Sequence, residues 1–300
     1  MAAEKSIFLA FIASIISAVI IISGCTKFNQ KTEPAKVSGD IGCSRVVALS
    51  KSVSEIWLLA GGTLVGTTSD ALELDGLSEN TVSIGSLTSP SPEAVVALKP
   101  DLVLTSQDLS SHRELAFMLE KLGIKVESID IECFKDYSDT LFHFTQLTGH
   151  HDLYDKNGAE VQRRIEAVLA GFDKSANNGK SYLCMRVSAT KNKALKKDNF
   201  ACNIIDSFGL TNIADDSSIL SDLNMEAITV ANPDYIFIIF QGKEAESSSV
   251  YKDVFGSHPA WKNLKAVKSG KVIVLPKALF HFKPNVRWDE AYKYIYEKME

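Results

Sequence analysis

The sequence lacks the short motifs that identify common catalytic and phosphate-binding sites. It has no glycine-rich phosphate loop after its first predicted strand, no Gly-x-Ser-x-Gly elbow and no His-Glu-x-x-His pair. It also lacks a run of like charges: the net charge is −5, whereas phosphate recognition needs a basic patch. The densest basic stretch, residues 191–197, has one aromatic nearby, Phe200, and is interpreted as a solvated loop. We therefore expect neither nucleic-acid binding nor catalysis, although missing motifs alone do not exclude an enzyme.

Cysteine, histidine and acidic residues are not arranged as metal sites. Four of the five cysteines follow the N-terminal segment: Cys43, Cys133, Cys184 and Cys202. They show no zinc or redox spacing, so the sequence does not decide whether they pair. Of the six histidines only His150 and His151 are adjacent, and neighbours on a helix point apart. The acidic loop with Asp70, Glu73 and Asp75 lacks the order of a calcium loop and is interpreted as solvated. Binding of bare zinc or manganese is therefore the weaker alternative for this protein.

The N-terminal segment has the parts of an export signal. Lys5 precedes an apolar run at residues 7–22, and Ser23, Gly24 and Cys25 follow. The residues before Cys25 resemble the lipobox of bacterial lipoproteins, in which cleavage frees a cysteine to carry a diacylglycerol. A plain transmembrane anchor is the alternative, since about 18 apolar residues can just span a bilayer. Lipidation is preferred because the polar stretch begins at the cysteine itself. We predict a signal peptide at residues 1–24, lipidation of Cys25 and a flexible tether at residues 25–44.

A ten-residue sequence motif, the repeated phrase, occurs twice in the rest of the chain. Residues 92–101 read Pro-Glu-Ala-Val-Val-Ala-Leu-Lys-Pro-Asp, and residues 225–234 read Met-Glu-Ala-Ile-Thr-Val-Ala-Asn-Pro-Asp. Each copy predicts a short helix, a stop before the proline and then a buried strand. Chance recurrence in an α/β protein is the alternative explanation. The equal spacing of Glu-Ala and Pro-Asp favours two similar α/β lobes.

Alternating strand and helix patterns extend around both copies. The first lobe begins with a short buried strand at residues 45–49, and its alternation favours a parallel sheet covered by helices. A long amphipathic stretch at about residues 152–172 predicts a helix, and a strand at residues 181–187 opens the second lobe. The predicted fold is α/β, with two Rossmann-like lobes that have central parallel sheets and are joined by a single long α-helix. The predicted boundaries are 45–150 for the N-terminal lobe, 151–174 for the connecting helix and 175–300 for the C-terminal lobe.

The order of these landmarks resembles the periplasmic-type substrate-binding proteins for cobalamin, haem and iron-siderophore import. The resemblance is carried by residues 45–68, 92–104, 122–124, 147–149, 259–261, 264–272 and 275–276. It covers most of the chain, from about residue 45 to residue 300. It implies the class III periplasmic-binding-protein fold, in which one rigid helix joins the lobes and the ligand lies in the cleft between them.

The resemblance also implies a function and partners. Such proteins deliver their ligand to the permease and ATPase of an ABC importer, and one glutamate on each lobe docks on the permease. The matching residues are Glu93 and Glu226, each near the start of a predicted short helix, where the dipole favours a carboxylate. The resemblance thus implies an extracytoplasmic, lipid-anchored monomer that carries an iron-siderophore, haem or cobalamin and has no resident cofactor. A lipid-anchored surface sensor or adhesin is the second alternative.

Candidate ligand-binding residues lie in loops that face the cleft in this fold. They are Lys51, Ser69, Gln107, His112, Arg113, Arg186, Phe280, His281, Lys283 and Arg287. The cationic set Arg186, Lys283 and Arg287 would suit an anionic siderophore, haem propionate or corrinoid phosphate. His112 or His281 could be an axial ligand of a metal complex, although a single histidine is more often a hydrogen-bonding residue. Lys51 stands where the family often has proline, and residues 69–73 replace an aromatic-rich loop, so the ligand stays unidentified.

Overall fold

The computed structural model describes residues 43–300; the predicted signal peptide, Cys25 and most of the predicted tether lie outside them. The strands are β1 (Val46–Ala48), β2 (Gly66–Thr67), β3 (Val82–Ser83), β4 (Gly85–Ser86), β5 (Ser89–Pro90), β6 (Leu102–Ser106), β7 (Lys125–Ile129), β8 (Ser181–Val187), β9 (Lys193–Ala194), β10 (Thr211–Asn212), β11 (Tyr235–Phe240) and β12 (Val272–Val274). The helices are α1 (Lys51–Leu59), α2 (Pro92–Ala97), α3 (Ser110–Lys121), α4 (Phe134–Thr148), α5 (Asp152–Tyr154), α6 (Glu160–Ala170), α7 (Phe200–Asp206), α8 (Met225–Ala231), α9 (Glu244–Tyr251), α10 (Pro259–Asn263), α11 (Lys265–Lys268), α12 (Lys277–Phe280) and α13 (Trp288–Met299). Within residues 43–300, every helix is too short or too polar to cross a bilayer.

Ten of the twelve described strands form two mainly parallel sheets, one in each half of the described chain, and β4 and β5 form a separate antiparallel pair. The first has the order β3-β2-β1-β6-β7, and the second has the order β10-β8-β11-β12, with β9 antiparallel to the end of β8. Strands β1 and β11 are buried along their whole length. Their uninterrupted apolar sequences suit central strands that are covered on both faces. The α/β fold class predicted from the sequence, with central parallel sheets, is therefore confirmed.

In each sheet the aspartate of the repeated phrase forms the same two hydrogen bonds, called the clamp, with the residue at the start of the first strand. In the first copy, the Asp101 backbone N–H donates to the Arg45 carbonyl at 2.9 Å, and Asp101 Oδ2 accepts from the Arg45 N–H at 2.9 Å. In the second copy, Asp234 N–H donates to the Ser181 carbonyl at 2.9 Å, and Asp234 Oδ2 accepts from the Ser181 N–H at 3.0 Å. The aspartate of each Pro-Asp pair thus binds the start of a strand that precedes it by more than fifty residues.

The helix between the two sheets contains a π-helical segment, Asp155–Ala159, where α5 passes into α6. Here the Asn157 carbonyl accepts a hydrogen bond from the Tyr137 hydroxyl at 2.8 Å, and the Asn157 amide donates to the Leu59 carbonyl at 2.8 Å. Polar groups of this widened helical turn are therefore hydrogen-bonded to α4 and to α1. The first part of the connecting helix is therefore fixed to the N-terminal sheet's helices.

The second part of the same helix is fixed to the C-terminal end of the chain. Helix α6 packs against α13, and Arg164 Nε lies 2.6 Å from Asp289 Oδ2. A single buried apolar cluster continues through both halves of the described chain. It includes Trp57, Phe144, Val161, Phe208 and Tyr292. Continuous close packing of this kind opposes large relative movements of the two halves.

Hydrogen bonds also connect the two halves directly. Asn285 is fully buried in the left-handed region (φ 50), and its amide donates to the Ser52 carbonyl at 3.1 Å and to Glu55 Oε2 at 2.7 Å. Asparagine tolerates this backbone conformation better than most residues. Burial raises the pKa of Glu55, and the Asn285 bond offsets only part of that effect. The Asn203 amide donates to the Glu132 carbonyl at 2.8 Å, which adds a second connection.

Candidate functional site

A cavity of about 730 Å³ lies where the carboxyl ends of strands from both sheets meet. Its lining includes Lys51, which follows β1, and Ser106 at the end of β6; Arg186 on β8 and Gln241 after β11 line it from the second sheet. In each sheet these are the two neighbouring strands at which the strand order changes direction. Ligands of open α/β sheets bind at such switch points, because the connections there leave in opposite directions and open a crevice.

Basic side chains outnumber acidic ones around the cavity. The basic residues are Lys51, Arg186, Lys191, Lys193, Lys196 and Lys283. The acidic residues are Asp70, Asp108, Asp198 and Asp222. The cationic excess lies on the wall formed by the second half of the chain, which holds five of the six basic residues. This wall suits the anionic groups of a ligand.

Arg186 and Lys193 are the centre of this basic wall. They are directly paired in register between β8 and β9, so two cations lie side by side. Burial lowers the pKa of Arg186. The pKa of Lys193 is lowered mainly by burial and to a smaller extent by repulsion from Arg186. Asp108 and Asp198 attract Arg186 from a distance, but within residues 43–300 they form no ion pair with it. Arg186 is half-buried and Lys193 is exposed, and together the two adjacent cations provide charged donors for a carboxylate or another chelating anion.

Lys283 crosses the cavity and connects its two walls. Its Nζ donates to the Ile131 carbonyl, lies 3.3 Å from Asp108 Oδ2 and stands 5.4 Å from the centroid of the Phe200 ring. Ile131 and Asp108 belong to the first half of the chain, whereas Lys283 and Phe200 belong to the second. Lys283 therefore bridges the two walls and is partly neutralised by Asp108, whereas Arg186 forms no ion pair within residues 43–300.

The structure brings four of the ten candidate ligand-binding residues to the cavity: Lys51, Arg186, His281 and Lys283. Burial, together with repulsion from Lys277 and Arg186, lowers the pKa of His281. His281 is thus favoured as a neutral imidazole beside the basic wall. A neutral ring nitrogen can accept a hydrogen bond or coordinate a metal complex.

The other six candidates lie outside the cavity lining: Ser69, Gln107, His112, Arg113, Phe280 and Arg287. Ser69 and Gln107 are exposed and are next in sequence to residues that line the cavity. Arg113 donates to the Gln107 carbonyl. Phe280 is fully buried and stacks on Phe200 at 6.5 Å. Arg287 binds both carboxylate oxygens of Glu290 with its guanidinium.

His112 needs a correction, because its position excludes the predicted role as an axial ligand. It is fully buried, its Nδ1 accepts from the Ser106 N–H, and its Nε2 lies 2.8 Å from the Leu87 carbonyl, to which it donates. Both ring nitrogens are therefore used by the backbone. Burial lowers the pKa of His112, which is consistent with this neutral, structural histidine.

Sequence reasoning missed several residues of the cavity. Lys191 and Lys193 are exposed, as expected for the solvated basic stretch, but together with Lys196 they also line the basic wall, which the sequence did not predict. Glu73 and Asp75 are exposed, as expected for the acidic loop, but the carboxylate oxygens of Asp70 are buried. Asp70 and Asp108 are also lining residues of the cavity that the sequence did not predict. Their positions after predicted strands could have indicated them. The lysines follow the carboxyl end of β8, where Arg186 lies, and Asp70 follows the carboxyl end of β2.

Glu93 and Glu226 occupy equivalent, exposed positions on the two copies of the repeated phrase. Each is the second residue of its helix, and the helices are capped alike: Ser91 Oγ accepts from Ala94 N–H, and Asn224 Oδ1 accepts from Ala227 N–H. Carboxylates are favoured at the first turn of a helix. The two glutamates thus form a matched pair, one on each half of the described chain.

The cavity does not resemble a site for a bare metal ion. Within residues 43–300, His, Cys, Asp and Glu side chains nowhere gather in threes around a common point. Zinc and manganese need three or four convergent ligands of these types. The described residues therefore give the bare-metal alternative no support.

Comparisons with known proteins agree with this architecture. The model of the family described as "Periplasmic binding protein" matches residues 46–279. The chain is similar to the Fe(3+)-citrate-binding protein YfmC of Bacillus subtilis, with 24% identity over 288 residues and 88% of each chain covered. It is also similar to the putative ABC transporter substrate-binding lipoprotein YhfQ of the same organism, with 22% identity over 286 residues and 86% of each chain covered.

A solved structure supports the fold independently. The crystal structure of Staphylococcus aureus IsdE complexed with heme superposes with a TM-score of 0.71 at 19% identity, over 85% of this chain and 98% of that one. This superposition shows the fold, and the family model over residues 46–279 confirms the family resemblance inferred from the sequence. Because the family model covers most of the sequence, this chain belongs to the periplasmic binding protein family, whose members are extracytoplasmic substrate-binding proteins of transporters.

Proposed function

We propose that this protein is the substrate-binding component of an ABC importer and captures a ferric chelate with anionic groups in its cavity. The paired cations Arg186 and Lys193 carry the proposal, since two neighbouring positive charges repel each other and an anion that binds both relieves the repulsion. A cavity of about 730 Å³ falls in the size range of small-molecule sites. The relative named for ferric citrate supports the same ligand class.

The proposal includes delivery to a permease through Glu93 and Glu226. Their matched helix starts project exposed carboxylates from both halves of the chain, so two separate basic pockets could each receive one. Recognition of two points at a fixed separation would select the correct partner better than either contact alone. The permease and its ATPase are thus the expected protein partners.

We further propose that Cys25 carries a lipid and holds the protein on the outer face of the cell membrane as a monomer. The lipobox-like residues before Cys25 and the similarity to a protein named as a lipoprotein support this anchor. The protein acts by binding and release, without a resident cofactor or a catalytic step. A sensor or adhesin role has no specific observation in its favour.

Calorimetric titration of the purified full chain in detergent tests the ligand class. The titrants are ferric citrate, a ferric hydroxamate siderophore, haem and cobalamin, and the variants are Arg186→Gln and the control Arg163→Gln. Arg163 is an exposed arginine on α6, so the control removes the same charge away from the cavity. A lost charge-assisted bond of about 1.5–3 kcal/mol predicts roughly ten- to hundredfold weaker chelate binding for Arg186→Gln only. Equal affinity of both variants and the wild type would contradict the proposal.

A further inference from the structure

Phe282 places an exposed aromatic ring at the cavity. It lines the cavity from the second half of the chain, on the loop that follows α12, and it is 38% exposed. Among the large apolar residues that are exposed within residues 43–300, it is the one that belongs to the cavity lining. A single exposed apolar side chain is ordinary on a protein surface, so its meaning depends on the other side chains of the cavity.

Three aliphatic side chains line the same cavity from the first half of the chain: Leu87, Leu109 and Ile129. Each is half-buried and keeps part of its surface exposed. They come from three separate segments, which are the β4–β5 turn, the residue before α3 and the end of β7. The His112 ring holds one of these segments in place, since its Nε2 donates to the Leu87 carbonyl at 2.8 Å. The first half thus adds apolar surface to a cavity whose cations lie mainly on the second half.

Phe282 is connected to the basic wall through His281. The two rings pack edge to face, with centroids 4.5 Å apart and planes at 85°. Within residues 43–300, His281 is the only aromatic partner of Phe282. His281 also lines the cavity, and repulsion from Arg186 contributes to its lowered pKa, so Arg186 lies within electrostatic reach of the pair. The cavity therefore combines an accessible aromatic ring with a nearby guanidinium.

This combination favours one kind of ligand group over others. A chelate that is polar on every side, such as ferric citrate, can use the cations but gains nothing from the apolar surface. A catecholate or phenolate group uses both, because its ring faces are apolar and its negatively charged oxygens lie at the ring edge. Aromatic rings attract each other in offset-stacked or edge-to-face pairs, and the oxygens accept charge-assisted hydrogen bonds.

We infer that Phe282 is a specificity-determining residue that packs on an aromatic ring of the ligand. This inference rests on the proposed function and narrows it: the ligand is a ferric complex of catecholate or phenolate groups. Its rings contact Phe282 and the aliphatic side chains, and its oxygens contact Arg186 and Lys193. A ferric complex of carboxylates alone binds more weakly, because it leaves the apolar surface of the cavity uncovered.

Calorimetric titration of the full chain in detergent compares ferric enterobactin, a tris-catecholate, with ferric tris-oxalate, which has the same charge but no ring. The wild type should bind ferric enterobactin at least about tenfold more tightly. Phe282→Ala should weaken the binding of ferric enterobactin roughly three- to tenfold and leave that of ferric tris-oxalate unchanged. Phe282→Tyr keeps the ring and should keep the affinity. Phe142→Ala removes an exposed phenylalanine on α4, outside the cavity lining, and should change neither affinity.

Three results would overturn the inference. The first is tighter wild-type binding of ferric tris-oxalate, and the second is a Phe282→Ala variant that binds both chelates as the wild type does or loses affinity for both equally. An equal loss would show that Phe282 only positions the basic wall. The third is tighter binding of haem than of ferric enterobactin, since haem also combines an apolar face with anionic groups.

The same titrations separate this inference from the proposed function. In each of the three cases, a loss of affinity in Arg186→Gln would still support capture of an anionic chelate. If the wild type bound ferric enterobactin, ferric tris-oxalate, haem and ferric citrate not at all, the proposed function would fail and the inference with it.

Discussion

The clamp formed by Asp234 offers a quantitative test of how the repeated phrase stabilises the fold. Asp234 Oδ2 accepts from the Ser181 N–H at 3.0 Å, and Oδ1 pairs with Lys265 Nζ. Substituting Asp234→Ala removes both interactions and leaves the first N–H of β8 without its side-chain acceptor. Asp234→Asn keeps an oxygen in the same place but removes its charge.

The expected magnitudes follow from these two contacts. A bond from a backbone N–H to a carboxylate contributes about 1.5–3 kcal/mol, and an ion pair to a largely exposed lysine adds about 0–1 kcal/mol. We therefore expect Asp234→Ala to lower the free energy of unfolding by about 2 kcal/mol. A neutral acceptor is roughly half as strong, so Asp234→Asn should lose about half as much. In a protein of this size, about 2 kcal/mol corresponds to a fall of about 4–8 °C in melting temperature.

Denaturant unfolding followed by circular dichroism measures both variants, with Asp216→Ala as an exposed control. Burial alone would raise the pKa of Asp234, but the bonds to Lys265 and Ser181 outweigh it and hold the pKa below its usual value. The clamp's charge-dependent stabilisation is therefore present above the unfolded pKa, about 3.9, and is lost as pH falls through the lower folded pKa. Equal stability of Asp234→Ala and the control at pH 7 would refute the clamp. A difference that grew on acidification would refute its electrostatic basis.

Two further predictions concern Glu93 with Glu226, and Glu55. The double variant Glu93→Ala/Glu226→Ala should abolish ligand uptake by cells, while its calorimetric affinity for the ligand stays unchanged. The control Glu79→Ala/Glu297→Ala, at two exposed glutamates, should change neither uptake nor affinity. Undiminished uptake by the Glu93→Ala/Glu226→Ala variant would exclude the docking role. Glu55→Gln should raise the melting temperature at pH 7, because burial raises the pKa of Glu55 and ionising the carboxyl in the fold is unfavourable above its unfolded pKa. The gain should shrink as the pH is lowered toward about 4, where the wild-type carboxyl is protonated, and a gain independent of pH would contradict this reasoning.

Local signals explain what the sequence could predict. The helices of the repeated phrase carry their own caps, Ser91 and Asn224, and the apolar runs after each Pro-Asp are long enough to identify β6 and β11. These features depend on neighbouring residues only. The alternation of strands and helices is also recorded in local hydrophobic patterns, so the parallel α/β fold could be predicted from the sequence.

The missed features depend on partners that are distant in sequence or on elements too short to show a period. Asp101 and Asp234 bind strands that begin more than fifty residues earlier, which no local pattern records. Strand β9 has two residues, so the lysines beside it carried no strand signal. The burial of His112 depends on the carbonyl of Leu87, which a loop brings to its ring. The surroundings of a charged or titratable side chain are thus set by residues that are distant in sequence.

The anchoring of the connecting helix on both sides has a consequence for the rates of ligand exchange. Asn157 fixes its first part to α1, and the Arg164–Asp289 pair fixes its second part to α13. Because the cleft geometry is set before ligand arrives, capture should proceed at a rate governed by diffusion and by attraction to the basic wall. The slow step is then departure, at a rate set by the bonds between the ligand and the basic wall. Rapid delivery from a rigid receptor that binds tightly would require another protein to weaken those bonds, and the turnover of the importer would be set by that event.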